Sequence, residues 1–161
     1  MRNFVRAIVL LLALGLSEPV LAGPLEDARA AYRKQDYTTA LRLFRPLADQ
    51  GDARAQIHLG VMYDNGQGVP QDYVQAVKWY RLAADQGDAG AQTLLGFMYN
   101  LGRGVQQDYV EAHKWFNLAA ASVSSGDTRE RAVKNRDRVA GMMTPAQIAE
   151  AQKRASAWQP K

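Results

Sequence analysis

The sequence predicts an all-α fold, an α-α superhelical solenoid of stacked helix-turn-helix repeats. Three observations predict it. The stretch Gly51–Ala84 recurs 36 positions later as Gly87–Ala120; of the 34 aligned pairs 12 differ, leaving 22 identical. Within each copy, small and apolar residues recur at three- and four-residue spacing, the period of one helix face. Each copy is also divided at the same place by a two-glycine loop, Gly66-x-Gly68 and Gly102-x-Gly104.

Taken in order, residues 1–22 read as a secretory signal peptide. Arg2 and Arg6 precede the apolar run Ala7–Leu16, Glu18-Pro19 breaks it, and Val20-Leu21-Ala22 offers a cleavage site before Gly23. The run falls short of the roughly 20 residues needed to span a membrane, although a retained anchor is the alternative. The two arginines are not adjacent, so a twin-arginine signal is not supported. The expected location after cleavage is periplasmic or secreted, with no membrane insertion. The chain has no cysteine, which excludes a disulfide framework and a lipid anchor on cysteine.

Residues 23–50 read as an N-terminal capping half, or degenerate repeat. Leu25–Gln35 forms its first helix. Asp36–Gln50 forms the second, because Asp36-Tyr37 precedes Asp72-Tyr73 by 36 positions, and Ala40, Phe44 and Ala48 fall in register with Ala76, Tyr80 and Ala84. Residues 51–86 and 87–121 are the two full repeats. In each, Asp52 or Asp88 caps a first helix, expected over Asp52–Tyr63 in the earlier copy. Gly60 sits on the packed face, where glycine costs about 1 kcal/mol against alanine, so close approach by a neighbouring helix is expected. Asp72 with Gln75, and Asp108 with Glu111, are spaced for capping boxes. Trp79 and Trp115 complete the stripe of the second helix and are expected in the core, not in a sugar-binding aromatic ladder. Residues 122–161 read as a C-terminal capping helix pair. Asp127 is placed to cap its first helix, and Thr144-Pro145-Ala146-Gln147 starts the second. The basic residues of the first, Arg129, Arg131, Lys134, Arg136 and Arg138, read as a solvated ion-paired face; the alternative is a patch for an acidic partner.

The repeated residues Gly51, Ala55, Leu59-Gly60, Tyr63, Gly66-x-Gly68-Val69, Asp72, Ala76, Trp79 and Ala83-Ala84 resemble the Sel1-like repeat, a relative of the tetratricopeptide repeat. The resemblance implies a solenoid whose usual business is protein–protein contact. It implies no reaction.

The copies differ in an ordered way. In the first helix, Arg54, Ile57, His58 and Val61 stand opposite Gly90, Thr93, Leu94 and Phe97, and Asn65 opposite Leu101. Their spacing places them on one face. This face is the expected partner-binding surface, a concave groove taking a protein or peptide. It could instead be merely solvated, or pack on the adjacent repeat; its apolar content argues against plain solvation.

No cofactor, metal or nucleic acid is expected. His58 and His113 lack a second ligand at metal spacing, and no nucleophile elbow or phosphate loop is present. Residues 1–22 hold two arginines and one glutamate, so removing them takes the net charge from +4 to +3, without a clustered basic stripe. The first reading is thus a non-catalytic scaffold. The alternatives are a binder of peptidoglycan or exopolysaccharide through exposed tyrosines such as Tyr73 and Tyr109, and, from the resemblance alone, a β-lactam-related hydrolase. The latter is weakened because the relatives in question are cysteine-rich.

Overall fold

The computed structural model describes residues 23–124 and 126–161. The signal-peptide reading falls on residues outside this range. Among the described residues there are eight helices: α1 Pro24–Arg33, α2 Tyr37–Asp49, α3 Ala53–Asn65, α4 Tyr73–Asp85, α5 Ala89–Leu101, α6 Tyr109–Ser122, α7 Asp127–Ala140 and α8 Pro145–Ser156. None is long and apolar enough to cross a membrane. Each packs on its neighbours in sequence from α1 to α7, giving the expected α-solenoid of helix-turn-helix repeats. α7 and α8, expected as a pair closing the stack, both lie against α6.

Aspartates start five helices. Asp36, Asp52, Asp72, Asp88 and Asp108 each accept from one or two backbone N–H groups of the first turn. The two expected capping boxes do not close. The N–H of Asp72 donates to Tyr63 O at 2.9 Å, and that of Asp108 to Tyr99 O at 3.0 Å. Each donor is therefore already satisfied by the preceding helix. Glu111 turns toward α8 instead and binds Lys114 and Arg154. Asp127 does not cap α7 either. Gly126, at φ 95°, holds the cap position without a side-chain bond, and Asp127 is the first helical residue. Thr144 and Gln147 do form a complete capping box.

The glycines explain how the layers fit. Gly60 lies beneath the Tyr80 ring, and a Cβ on Gly96 would stand 2.7 Å from Phe116 Cε1. The close neighbour is thus an aromatic ring of the same repeat's second helix, not the backbone of another helix. Gly68 and Gly104, at φ 73° and 66°, press on the backbone of Tyr37 and Tyr73 in the previous repeat. Any Cβ there would meet a carbonyl oxygen, so the loop glycines set the step between repeats.

The core is built as successive clusters along the stack, with half-buried Tyr63 packing against the first two. Phe44, Leu59, Met62 and Trp79 join α1 to α4, and Tyr80, Leu95, Met98 and Trp115 join α4 to α6 and α8. Trp79 and Trp115 are buried, as the sequence leads one to expect.

Candidate functional site

Seven of the eight candidate positions divide between two depressions. Gly90, Thr93, Leu94 and Phe97 of α5 face Thr128, Arg131 and Asn135 of α7 across a groove of about 430 Å³. Arg54, Ile57 and His58 of α3 line a second hollow with Arg29 of α1, about 170 Å³. Val61 lines neither. It packs, with Ile57 and Leu94, against the core shared by α4 and α5. Packing on the adjacent repeat therefore accounts for part of this face.

Leu94 and Phe97 are half-buried, with one side in the core and the other on the groove. Phe97 meets Phe116 edge-on, centroids 5.2 Å apart. The Thr93 hydroxyl donates to Ala89 O within its own helix at 2.8 Å, so it is engaged and unactivated. α5 carries no charged side chain. Arg131 is the one charge lining its groove, giving an apolar floor with a cationic edge. In the second hollow, Arg29 pairs with Glu26 at 2.9 Å and Arg54 lies 3.7 Å from Asp52. His58 stacks on Phe44 and tilts against Tyr32, joining three helices. Burial and the nearby Arg29 guanidinium hold its imidazole below the usual histidine range. His113 is buried on α6 and also held low, first by desolvation and then by Arg136.

The tyrosines do not form an open ladder. Gln67 donates to Tyr37 Oη at 3.0 Å, and Arg103 covers the Tyr73 ring at 5.4 Å. Tyr109 packs beside Met143 and Val139. A sugar ring stacks on an exposed aromatic face, and these faces are turned into repeat junctions. Among the described residues, no group of His, Cys, Asp or Glu is arranged to hold a metal ion.

Sequence reasoning missed Arg29, Thr128 and Asn135, and weighed Arg131 only as one of a basic row that could meet an acidic partner. Their helices belong to the capping segments, and apart from that basic row nothing in their own patterning marks a site. Their role follows from where α1 and α7 lie beside the first helices of the repeats.

Comparison with known proteins agrees with this architecture. The Sel1 repeat pattern matches three times, over residues 29–52, 53–88 and 89–123. The first match takes in the degenerate N-terminal copy. A protective antigen present in uropathogenic Escherichia coli strains, displaying an SLR fold, superposes with a TM-score of 0.77 and 31% identity. That alignment covers 84% of this chain but only 29% of the antigen. A Sel1 repeat protein from Oxalobacter formigenes gives 0.62 and 36%, covering 71% of this chain and 86% of that one. A search of curated proteins returns no match. Three pattern matches in register with the observed helix pairs show that the chain belongs to the Sel1 repeat family.

Proposed function

We propose that the chain is an exported, non-catalytic scaffold that holds a protein or peptide partner in the groove between α5 and α7. The helical-repeat scaffold, with protein contact as its family's common role, is the starting point. One observation carries the finer reading. Gly90, Thr93, Leu94 and Phe97, where otherwise matched repeats diverge, all lie along one apolar groove with Arg131 at its edge. The partner inserts apolar side chains over Leu94 and Phe97, and an acidic group beside Arg131 sets its orientation. The hollow of Arg54, Ile57 and His58 extends the same helix side toward α1. The groove offers no pair of groups suited to general acid–base or nucleophilic work, which supports the non-catalytic reading.

The test is site-specific photocrosslinking in cells from position 128, then identification of the captured protein. Leu94→Ser with Phe97→Ser abolishes capture while helical content is retained, and Arg131→Glu weakens it. Capture unchanged in these variants overturns the groove assignment. Export is tested separately by fractionation and N-terminal sequencing, with a mature start at Gly23 expected.

A further inference from the structure

The two repeats build the same corner twice, and one of the two is filled. In the later repeat, Trp158 meets Trp115 edge-on, ring centroids 6.3 Å apart. Trp158 and Pro160 both approach Gly87, each 3.9 Å from where a Cβ would stand. Lys161 N donates to Asp85 O at 2.8 Å, and its ammonium reaches Asp85 Oδ2 at 3.1 Å. Leu118, beneath this segment, is only 9% exposed.

Shifting these positions back by 36 residues lands on an open cavity of about 490 Å³. Its Asp49, Gly51, Gln56, Lys78, Trp79 and Leu82 are identical in kind to Asp85, Gly87, Gln92, Lys114, Trp115 and Leu118. The internal bonds repeat too. Gln56 Nε2 donates to Ala48 O at 3.1 Å, as Gln92 Nε2 donates to Ala84 O at 3.3 Å. Yet no described residue comes within 4 Å of where a Cβ on Gly51 would stand. Leu82 is 42% exposed where its counterpart is covered. The Asp49 carboxylate is largely exposed and, among the described residues, pairs with Arg45 alone, at 3.5 Å.

We propose that this open corner docks a segment of another polypeptide with the chemistry of residues 155–161: a helix end followed by an aromatic ring, a proline and a cation. The ring lies over Gly51 beside Trp79, apolar atoms cover Leu82, and the cation meets Asp49. The filled corner supplies the template for each contact. The partner need not carry a counterpart of Arg154, since Gln75 stands where Glu111 receives that arginine. The chain's own segment is held in the later corner, and only its Lys161, paired with Asp85, borders the open one, so the occupant is a foreign one. This site is separate from the α5–α7 groove, and neither proposal requires the other.

The probe is a fluorescent peptide of residues 144–161 titrated onto the full chain and followed by anisotropy. Saturable binding is expected. Leu82→Glu and Asp49→Lys should each weaken it about tenfold or more, and a Trp158→Ala peptide should not bind. Leu94→Ser should leave it unchanged. Absence of binding overturns the proposal. Binding insensitive to Leu82→Glu also overturns it, because the peptide is then displacing the chain's own segment from the later corner. Concentration-dependent dimerisation of the chain alone, lost in both Leu82→Glu and Trp158→Ala chains, overturns the foreign occupant in favour of a second copy.

Discussion

His58 of α3 stacks on Phe44 of α2 with ring centroids 4.5 Å apart and planes within 13°. The stack sits where the first full repeat meets the N-terminal half repeat, so the proton state of one imidazole bears on that junction. Burial and Arg29 lower its proton affinity in the folded chain. The unfolded chain therefore binds this proton more tightly than the folded one, and acid favours unfolding. No penalty exists well above the ordinary histidine value of about 6.5, and it grows as pH falls below that. Urea unfolding at pH 7 and pH 5 is expected to show a loss of stability, smaller in His58→Phe. His113, lowered in the same direction, keeps part of the loss in that variant.

Gly96→Ala should be destabilising although alanine favours helices. Its Cβ would enter the space of the Phe116 ring. Overpacking of this kind costs about 1–3 kcal/mol. Phe116→Leu should restore part of the loss when combined with Gly96→Ala, giving a non-additive cycle in urea melts. Strict additivity would show that the ring and glycine do not share the space.

The caps divide into working and idle aspartates. Asp108 accepts from the N–H groups of Val110 at 2.8 Å and Glu111 at 3.0 Å. Asp108→Ala should cost about 1 kcal/mol, the usual effect of losing an N-cap. Asp127 accepts no capping bond. Asp127→Ala should cost only a few tenths of a kcal/mol, the helix-dipole contribution of a first-turn acid. Thermal unfolding of the two variants side by side checks the ordering.

Glu111 ties α8 to the stack. Its carboxylate meets Lys114 at 3.1 Å and Arg154 at 2.9 Å. Desolvation pushes its pKa up, but the two cations together outweigh this and leave it below the ordinary carboxylate value. The contribution is present above the unfolded value of about 4.3 and is lost as pH falls through the lower folded value. Glu111→Gln should cost about 1 kcal/mol at neutral pH, because the exposure of Arg154 keeps its ion pair weak. The difference from the parent chain should shrink in acid and in high salt.

The sequence carried the repeat and its register because repeated packing needs repeated residues. Trp79, Trp115 and the aspartates that cap α2 to α6 are legible from spacing, whereas Asp127, read the same way, is displaced from its cap by Gly126. The capping boxes were not legible. Whether Gln75 and Glu111 turn back depends on where Tyr63 and Tyr99 place their carbonyls, which belong to the preceding helix. The candidate face was only partly legible. Divergence between copies marked Leu94 and Phe97, but it marked Val61 equally, and Val61 is absorbed by packing.

What the sequence by itself determined is an α-solenoid of matched helix pairs, because helix period, glycine loops and caps are local properties that repetition makes audible. What only the tertiary structure decided is which surfaces stay open. Asp49, Gly51 and Leu82 have the same identities as Asp85, Gly87 and Leu118, and yet one corner is covered and the other bare. No local pattern distinguishes them. The difference is made by α8, which returns to α6 and carries Trp158 and Lys161 across the stack.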